Sequence, residues 1–237
     1  KISRTKAAST NSSKRTPIED PPDTDSSGMG GNMFDGIKLI SKSPYLIGIC
    51  MVILLYTTLA TFLYFQQAEI IRDAFGDSSE RTTVFAAMDF AVNALTVLAQ
   101  VFMTARIVDR LGMAWTLAVI PIGLAAGFLI LGFAPVLGVI VTIQIVRRAG
   151  NFAVMKPARE MLFVVLGKEE KYKAKNIIDT VVYRGGDAVS GWAYSGLQAL
   201  GLSLAGIAFV AVPLSALWAW VSFRLGRTNQ EMNHAES

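Results

Sequence analysis

Charged residues, cysteine and histidine are all scarce in this 237-residue chain. Charged residues make up 17% of it, below the roughly 25% typical of soluble domains. The single cysteine, Cys50, excludes an intrachain disulfide and a cysteine-based metal site. The only histidine, His234, lies in a polar tail and is expected to be inert. The sequence also lacks a nucleophile–base pair, a metal-ligand cluster and a GxxxxGKS/T phosphate loop. It therefore predicts no enzymatic activity, no metal, no cofactor and no nucleic-acid partner.

Long uncharged runs occupy much of the chain instead. Residues 43–68, and residues 82–105 with only Asp89 charged, are each long enough to span a membrane once. Residues 111–146 and 188–223 are uncharged runs that, as helices, would extend about 54 Å, beyond a ~30 Å hydrocarbon core. Each must therefore turn, the first near Pro135 and the second near 201–203. The sequence predicts an all-α membrane protein with six transmembrane helices, at about 44–68, 82–105, 113–134, 136–160, 176–199 and 203–223.

The two ends of the chain are polar. Residues 1–43 are predicted to be a disordered cytoplasmic linker, because the Ser-, Thr-, Asp- and Pro-rich part up to residue 32 cannot bury enough apolar surface to offset its ordering entropy. Apolar and charged residues alternate at 34–43 and predict a short interfacial helix. Residues 224–237 are predicted to be a cytoplasmic tail. Since residue 1 is Lys rather than Met, we expect the chain to begin inside a longer protein.

The positions of Lys and Arg predict how the helices are oriented. With six spans, the side that holds both termini carries seventeen of these residues, whereas the opposite side has only Arg72 and Arg81. Cytoplasmic loops are enriched in Lys and Arg. We therefore expect both termini to be cytoplasmic and the protein to lie in the lipid bilayer of the plasma (inner) membrane.

Polar residues recur along one face of the second predicted helix. Asp89, Asn93, Thr96 and Gln100 are spaced by four, three and four residues, which places them in one stripe at 100° per residue. A charge at the membrane centre costs at least ~2.5–3.5 kcal/mol and usually faces a cavity or a partner. The stripe is consistent with interhelical hydrogen bonds or with the lining of a water-filled pathway.

The fourth predicted helix carries adjacent arginines after an apolar run. Arg147 and Arg148 lie in its middle, and one face is expected to hold Arg148, Asn151, Met155 and Arg159, with a kink at Pro157. Guanidinium groups suit bidentate contacts to phosphate or carboxylate. Two hypotheses follow: at least one arginine binds an anionic solute, or both are structural and pair with Asp89, Asp179 or Asp187.

The fifth predicted helix combines charges with a glycine pair. Arg184 and Asp187 are three residues apart and can pair within the helix. Gly185 and Gly186 permit close helix packing or local unwinding, and interrupted helices often mark substrate sites in transporters. The candidate substrate-binding residues are therefore Asn93, Arg147, Arg148, Asn151, Lys156, Arg159 and Arg184, with Asp89, Asp179 and Asp187 as charge or coupling partners.

The loop after the second helix reads ARIVDRLG, residues 105–112. It resembles the GxxxDRxG loop motif of the major facilitator superfamily at Asp109, Arg110 and Gly112, whereas Ala105 stands where the motif has Gly. The resemblance implies that these residues brace two helices during a conformational cycle. It also implies that residues 44–223 are the C-terminal six-helix half of a twelve-helix transporter whose N-terminal half is missing here.

A narrower resemblance covers about half of the chain. The stretches RTTVFAAMDFAVNALTVLAQ, RRAGNFAVMKPAREMLFVV and EEKYKAKNIIDTVVYRGGD are similar to the nucleotide-exchange (ATP:ADP antiporter-like) transporter family. What this implies is a secondary-active exchange of a nucleoside triphosphate for a diphosphate, without hydrolysis. The expected partner is then a small anionic solute such as ATP or ADP.

Two other functions are compatible with the same residues. In a proton-coupled transporter of another solute, Asp89, Asp179 or Asp187 would be the protonation site. A membrane scaffold or receptor that transports nothing is the third hypothesis, although the short outer loops provide no extramembrane domain for it. Transport that follows a pH gradient would distinguish the proton-coupled transporter from an exchanger.

Overall fold

The computed structural model describes residues 33–102 and 104–236, with the side chains of 36–101, 110–167 and 170–233. Within these residues the fold is helical and has no strand. The predicted linker up to residue 32 lies outside the described residues. The helices are α1 (Met33–Lys42), α2 (Pro44–Ala74), α3 (Ser78–Phe102), α4 (Thr104–Phe133), α5 (Leu137–Gly150), α6 (Lys156–Leu162), α7 (Lys168–Ile177), α8 (Tyr183–Ala199) and α9 (Leu204–Glu236).

Two π-helical turns join helices that are otherwise continuous. The first, Asn151–Met155, connects α5 to α6, and the second, Ile178–Val182, connects α7 to α8. In each turn a backbone N–H bonds to the carbonyl five residues back, from Lys156 to Asn151 and from Tyr183 to Ile178. Each turn therefore adds a residue to the local repeat and rotates the side chains that follow.

Five helices of the described part are long and apolar enough to cross a membrane: Pro44–Ala74, Ser78–Val101, Arg110–Phe133, Leu137–Leu162 and Leu204–Asn233. This indicates a multi-pass, all-α integral membrane protein. The segment predicted as a span at 176–199 is helical apart from its π turn, but it is not among the five. Its main helix, α8, has 17 residues and combines Arg184 and Asp187 with glycine, serine and glutamine, so it is shorter and less apolar than the five spans.

Local sequence signals set several helix ends. Ser43 caps α2 by accepting a hydrogen bond from the Leu46 N–H, and Pro44 occupies the first helical position. After α8, Gly201 has a φ of +84°. Its N–H bonds to the Gln198 carbonyl and the Leu202 N–H bonds to the Leu197 carbonyl, which is the Schellman arrangement. This glycine turn lets α9 begin at Leu204.

Helix α2 lies at the centre of the bundle and contacts α1, α5, α8 and α9. Its buried side chains include Leu46, Ile49, Ile53, Leu59 and Leu63. Helices α4 and α9 form a second close pair. A Cβ at Gly226 would lie 2.4 Å from the Ala114 Cα, so this glycine allows the two backbones to touch.

The C-terminal segment differs from the sequence prediction. Residues 224–236 continue α9 as a helix rather than beginning a separate tail after residue 223. Buried Asn229 donates to the Tyr45 hydroxyl at 2.9 Å, and Tyr45 donates to the Leu162 carbonyl at 2.8 Å. These tertiary bonds hold the end of α9 against α2 and α6.

Candidate functional site

The Arg147 side chain is held by a glutamine rather than by a carboxylate. Its Nε and Nη2 donate to the Gln144 Oε1 at 3.1 and 2.9 Å. Buried Gln144 donates in turn to the Gln67 Oε1, and Gln67 donates to the Met88 sulfur at 3.5 Å. We call Arg147, Gln144 and Gln67 the Arg147 network. No carboxylate among the described side chains lies within ion-pair distance of Arg147, so its charge is hydrogen-bonded but not neutralised.

Arg148 has the opposite arrangement. Its Nη1 lies 2.5 Å from the Asp89 Oδ1, which ties α5 to α3. Gln100, at the other end of the polar stripe, donates to the Phe152 carbonyl at 3.3 Å. Both ends of the stripe therefore make interhelical hydrogen bonds. Between them, Asn93 is exposed and the buried Thr96 hydroxyl has no hydrogen-bond partner within the described residues.

Aromatic side chains flank the Arg147 network. Tyr56 of α2 lies beside the Arg147 guanidinium, and its ring is 6.3 Å from that of Tyr183 and 5.8 Å from that of buried Trp218. Tyr183 in turn lies within electrostatic range of Asp187 and Arg159. The site thus has an aromatic wall formed by α2, α8 and α9 beside its unneutralised guanidinium.

A second charged group lies where α6 meets α7. Arg159 Nη2 is 4.0 Å from Asp179 Oδ1, and Lys175 forms an ion pair with Glu160. Asp179 belongs to the second π turn. The two pairs connect the helix after the first π turn to the helix that contains the second.

The structure does not bring all the candidate cations together. Lys156 and Arg184 are exposed and form no ion pair within the described part of the chain. Asn151 makes no side-chain hydrogen bond there either. Arg184 and Asp187, whose spacing allows a pair, form no ion pair within the described residues, and Asp187 lies near Thr61 of α2. Neither Arg147 nor Arg148 forms an ion pair with Asp179 or Asp187 within the described residues.

The predicted face holding Arg148, Asn151, Met155 and Arg159 is interrupted. The π turn inserts one residue between Arg148 and Arg159, so regular 3.6-residue spacing no longer applies across it. Pro157 has no backbone N–H and is the second residue of α6, next to this turn, which accounts for an irregularity at this place. The neighbouring Gly185–Gly186 pair remains α-helical, and the irregular backbone lies one turn earlier, at 178–182.

The structure describes the side chains of only part of the loop motif at residues 105–112. Gly112 has a φ of +73° inside α4, which marks a sharp break in that helix, and a Cβ there would lie 2.6 Å from the Gln230 Nε2. Arg110 is exposed. The side chain of Asp109 lies outside the described residues.

Sequence reasoning missed Gln67, Gln144, Tyr56 and Tyr183. A signal was present for the glutamines, because Gln67 and Gln144 are polar residues within or beside long uncharged runs.

Comparison of the chain with protein-family models, curated proteins and solved structures gives no match.

Proposed function

We propose that this chain is the six-helix half of a secondary-active transporter that works by alternating access and exchanges phosphate-bearing anions such as ATP and ADP. One observation carries the proposal: Arg147 is a guanidinium within a span and has no carboxylate partner among the described side chains. An unneutralised charge at this depth is costly and is retained where a substrate or pathway needs it.

The chemistry of the network suits an anion. The Gln144 oxygen fixes the Arg147 guanidinium in place while leaving its positive charge uncompensated, so a phosphate gains both the charge and the remaining N–H donors. Asp89 neutralises Arg148 and limits the net charge of the empty site. The rings of Tyr56 and Tyr183 provide an apolar surface for the nucleobase.

Alternating access requires contacts that form on one side of the site and break during the cycle. The Arg159–Asp179 and Glu160–Lys175 pairs join two helices, each beside a π turn, on the side predicted to be cytoplasmic. Such pairs are suited to closing that side, because their loss would free α6 from α7. We assign them this gating role within the proposed exchange.

The test uses the proposed twelve-helix transporter that contains this chain, which we call the parent protein. It is reconstituted in liposomes at equal pH on both sides. Uptake of labelled ATP is measured with and without ADP trapped inside. The proposal predicts uptake only when internal ADP is present. Liposomes into which labelled ATP neither enters nor binds would contradict the nucleotide assignment.

A proton-coupled transporter is the second candidate, and Asp187 is the observation that favours it. This carboxylate faces Thr61 and forms no ion pair within the described residues. It is therefore available to take up a proton during a transport cycle. In this case uptake would follow an imposed pH gradient and would need no internal counter-substrate, and Asp187→Asn would abolish the pH response.

A further inference from the structure

A cavity lies away from the Arg147 network. It is next to the short connection between the end of α2 and the start of α3. It is lined by α2, α3 and α8 and has a volume of about 570 Å³. Drug-sized ligands occupy cavities of roughly 300–1,000 Å³. The side chains that decide its chemistry are Phe65, Glu69, Arg72, Arg81, Tyr194 and Gln198.

One wall of this cavity is built on a stacked aromatic pair, of which only Phe65 is accessible. The rings of Phe65 and Tyr194 are stacked, with centroids 5.0 Å apart and planes inclined by 22°. Tyr194 is buried and Phe65 is about one-third exposed, so the pair is anchored by one ring and accessible at the other. Aromatic faces of this kind favour planar ring ligands.

Arg81 gives the cavity a preference for a negatively charged ligand. Its Nε and Nη2 donate only to backbone carbonyls, those of Asp77 at 3.3 Å and Gly76 at 3.4 Å. No carboxylate among the described side chains lies within ion-pair distance of it. Arg72 differs, since it lies 3.5 Å from Asp73 and 4.0 Å from Glu69. The cavity therefore offers one uncompensated positive charge.

Glu69 limits the charge that a ligand can carry. Its Oε2 accepts a hydrogen bond from the Gln198 Nε2 at 3.0 Å, which fixes the carboxylate in the wall between α2 and α8. A fixed negative charge beside the cavity disfavours a polyanion such as a triphosphate. A ligand with a single negative charge pairs with Arg81 and avoids most of this repulsion.

We propose that this cavity binds a planar aromatic monoanion, such as an aromatic carboxylate, with its ring on Phe65, which Tyr194 supports from below, and its negative group at Arg81. Nothing in this assignment depends on what the Arg147 network binds. The Arg72 side chain is 63% exposed, so the cavity is open on the side where Arg72 lies.

The experiment measures binding of 2-naphthoate to the chain in lipid nanodiscs by equilibrium dialysis, with empty nanodiscs subtracted. We expect saturable binding that Arg81→Gln weakens about tenfold or more, since a charge-assisted hydrogen bond is lost. Arg227→Gln, at an exposed position near the end of α9, should leave the affinity unchanged.

Ligand analogues test the proposal on the unmodified protein. The neutral 2-naphthamide lacks the charge and acetate lacks the ring, so both should bind at least tenfold more weakly than 2-naphthoate. Equal affinity of 2-naphthoate and 2-naphthamide would overturn the proposal, as would an Arg81→Gln variant that binds as tightly as the original chain.

Discussion

Two neighbouring arginines of the same helix have different electrostatic environments. Arg148 is neutralised by Asp89 across the α3–α5 contact, whereas Arg147 is oriented by Gln144 and retains its charge. The sequence shows only that both are present. The difference arises because side chains at adjacent helical positions point about 100° apart and meet different neighbours.

Removal of the Arg147 charge should weaken anion binding by about tenfold to a hundredfold, as expected for the loss of charge-assisted hydrogen bonds. The measurement is ATP affinity of the parent protein in nanodiscs, with Arg147→Gln compared against Arg227→Gln. Unchanged ATP affinity in Arg147→Gln would remove the basis of the proposed exchanger.

The ion pair of Arg148 should have a modest effect on stability. Its side chains are 34% and 56% exposed, so Asp89→Asn should lower the free energy of unfolding by about 1 kcal/mol. A double-mutant cycle with Arg148→Gln measures the coupling energy between the two side chains. The free energy of unfolding of each variant is measured in mixed detergent micelles. Strictly additive effects of the two substitutions would show that the pair contributes nothing.

At the scale of helices, close packing between helices depends on particular glycines. A Cβ at Gly186 would lie 2.6 Å from the Thr57 hydroxyl and 3.1 Å from Leu54, whereas a Cβ at the adjacent Gly185 would meet nothing within 4 Å. The pair GG was visible in the sequence. Which of the two glycines faces α2 depends on how α8 is rotated in the bundle.

Gly186→Ala should therefore destabilise the protein by about 1–3 kcal/mol, because the added methyl group separates α8 from α2. Gly185→Ala is the matched control and should be neutral or stabilise by up to about 1 kcal/mol through better helix propensity. Thermal unfolding of both variants in the same detergent compares them. If Gly185→Ala were the less stable variant, the face of α8 that packs against α2 would be the one holding Gly185.

At the scale of the whole molecule, α3 is the least buried of the five helices long enough to span a membrane. About 11% of its span is buried, as against 50% for those of α2 and α4. Its attachments include the Asp89–Arg148 ion pair and the Gln100–Phe152 hydrogen bond. In the proposed twelve-helix arrangement, a second six-helix half would cover part of this exposed surface.

The orientation can be tested with one cysteine at a time, since Cys50 is the only native cysteine. In a Cys50→Ser background, Ser79→Cys lies on the predicted outer side and Tyr172→Cys on the predicted cytoplasmic side, and both positions are exposed. A membrane-impermeant maleimide added to intact cells should label Ser79→Cys and should label Tyr172→Cys only after permeabilisation. The reverse labelling pattern would invert the topology.

The sequence by itself determined the all-α membrane class and placed the breaks near Pro135 and Gly201, because charge-free length and turn residues are local properties. Only the tertiary structure decided which charges are neutralised. In the structure Arg148 pairs with Asp89, and Arg159 pairs with Asp179. Asp187 lies near Thr61, and Arg147 donates hydrogen bonds to Gln144. The π turns and the rotation of each helix set these partners, and both depend on contacts between residues far apart in the chain.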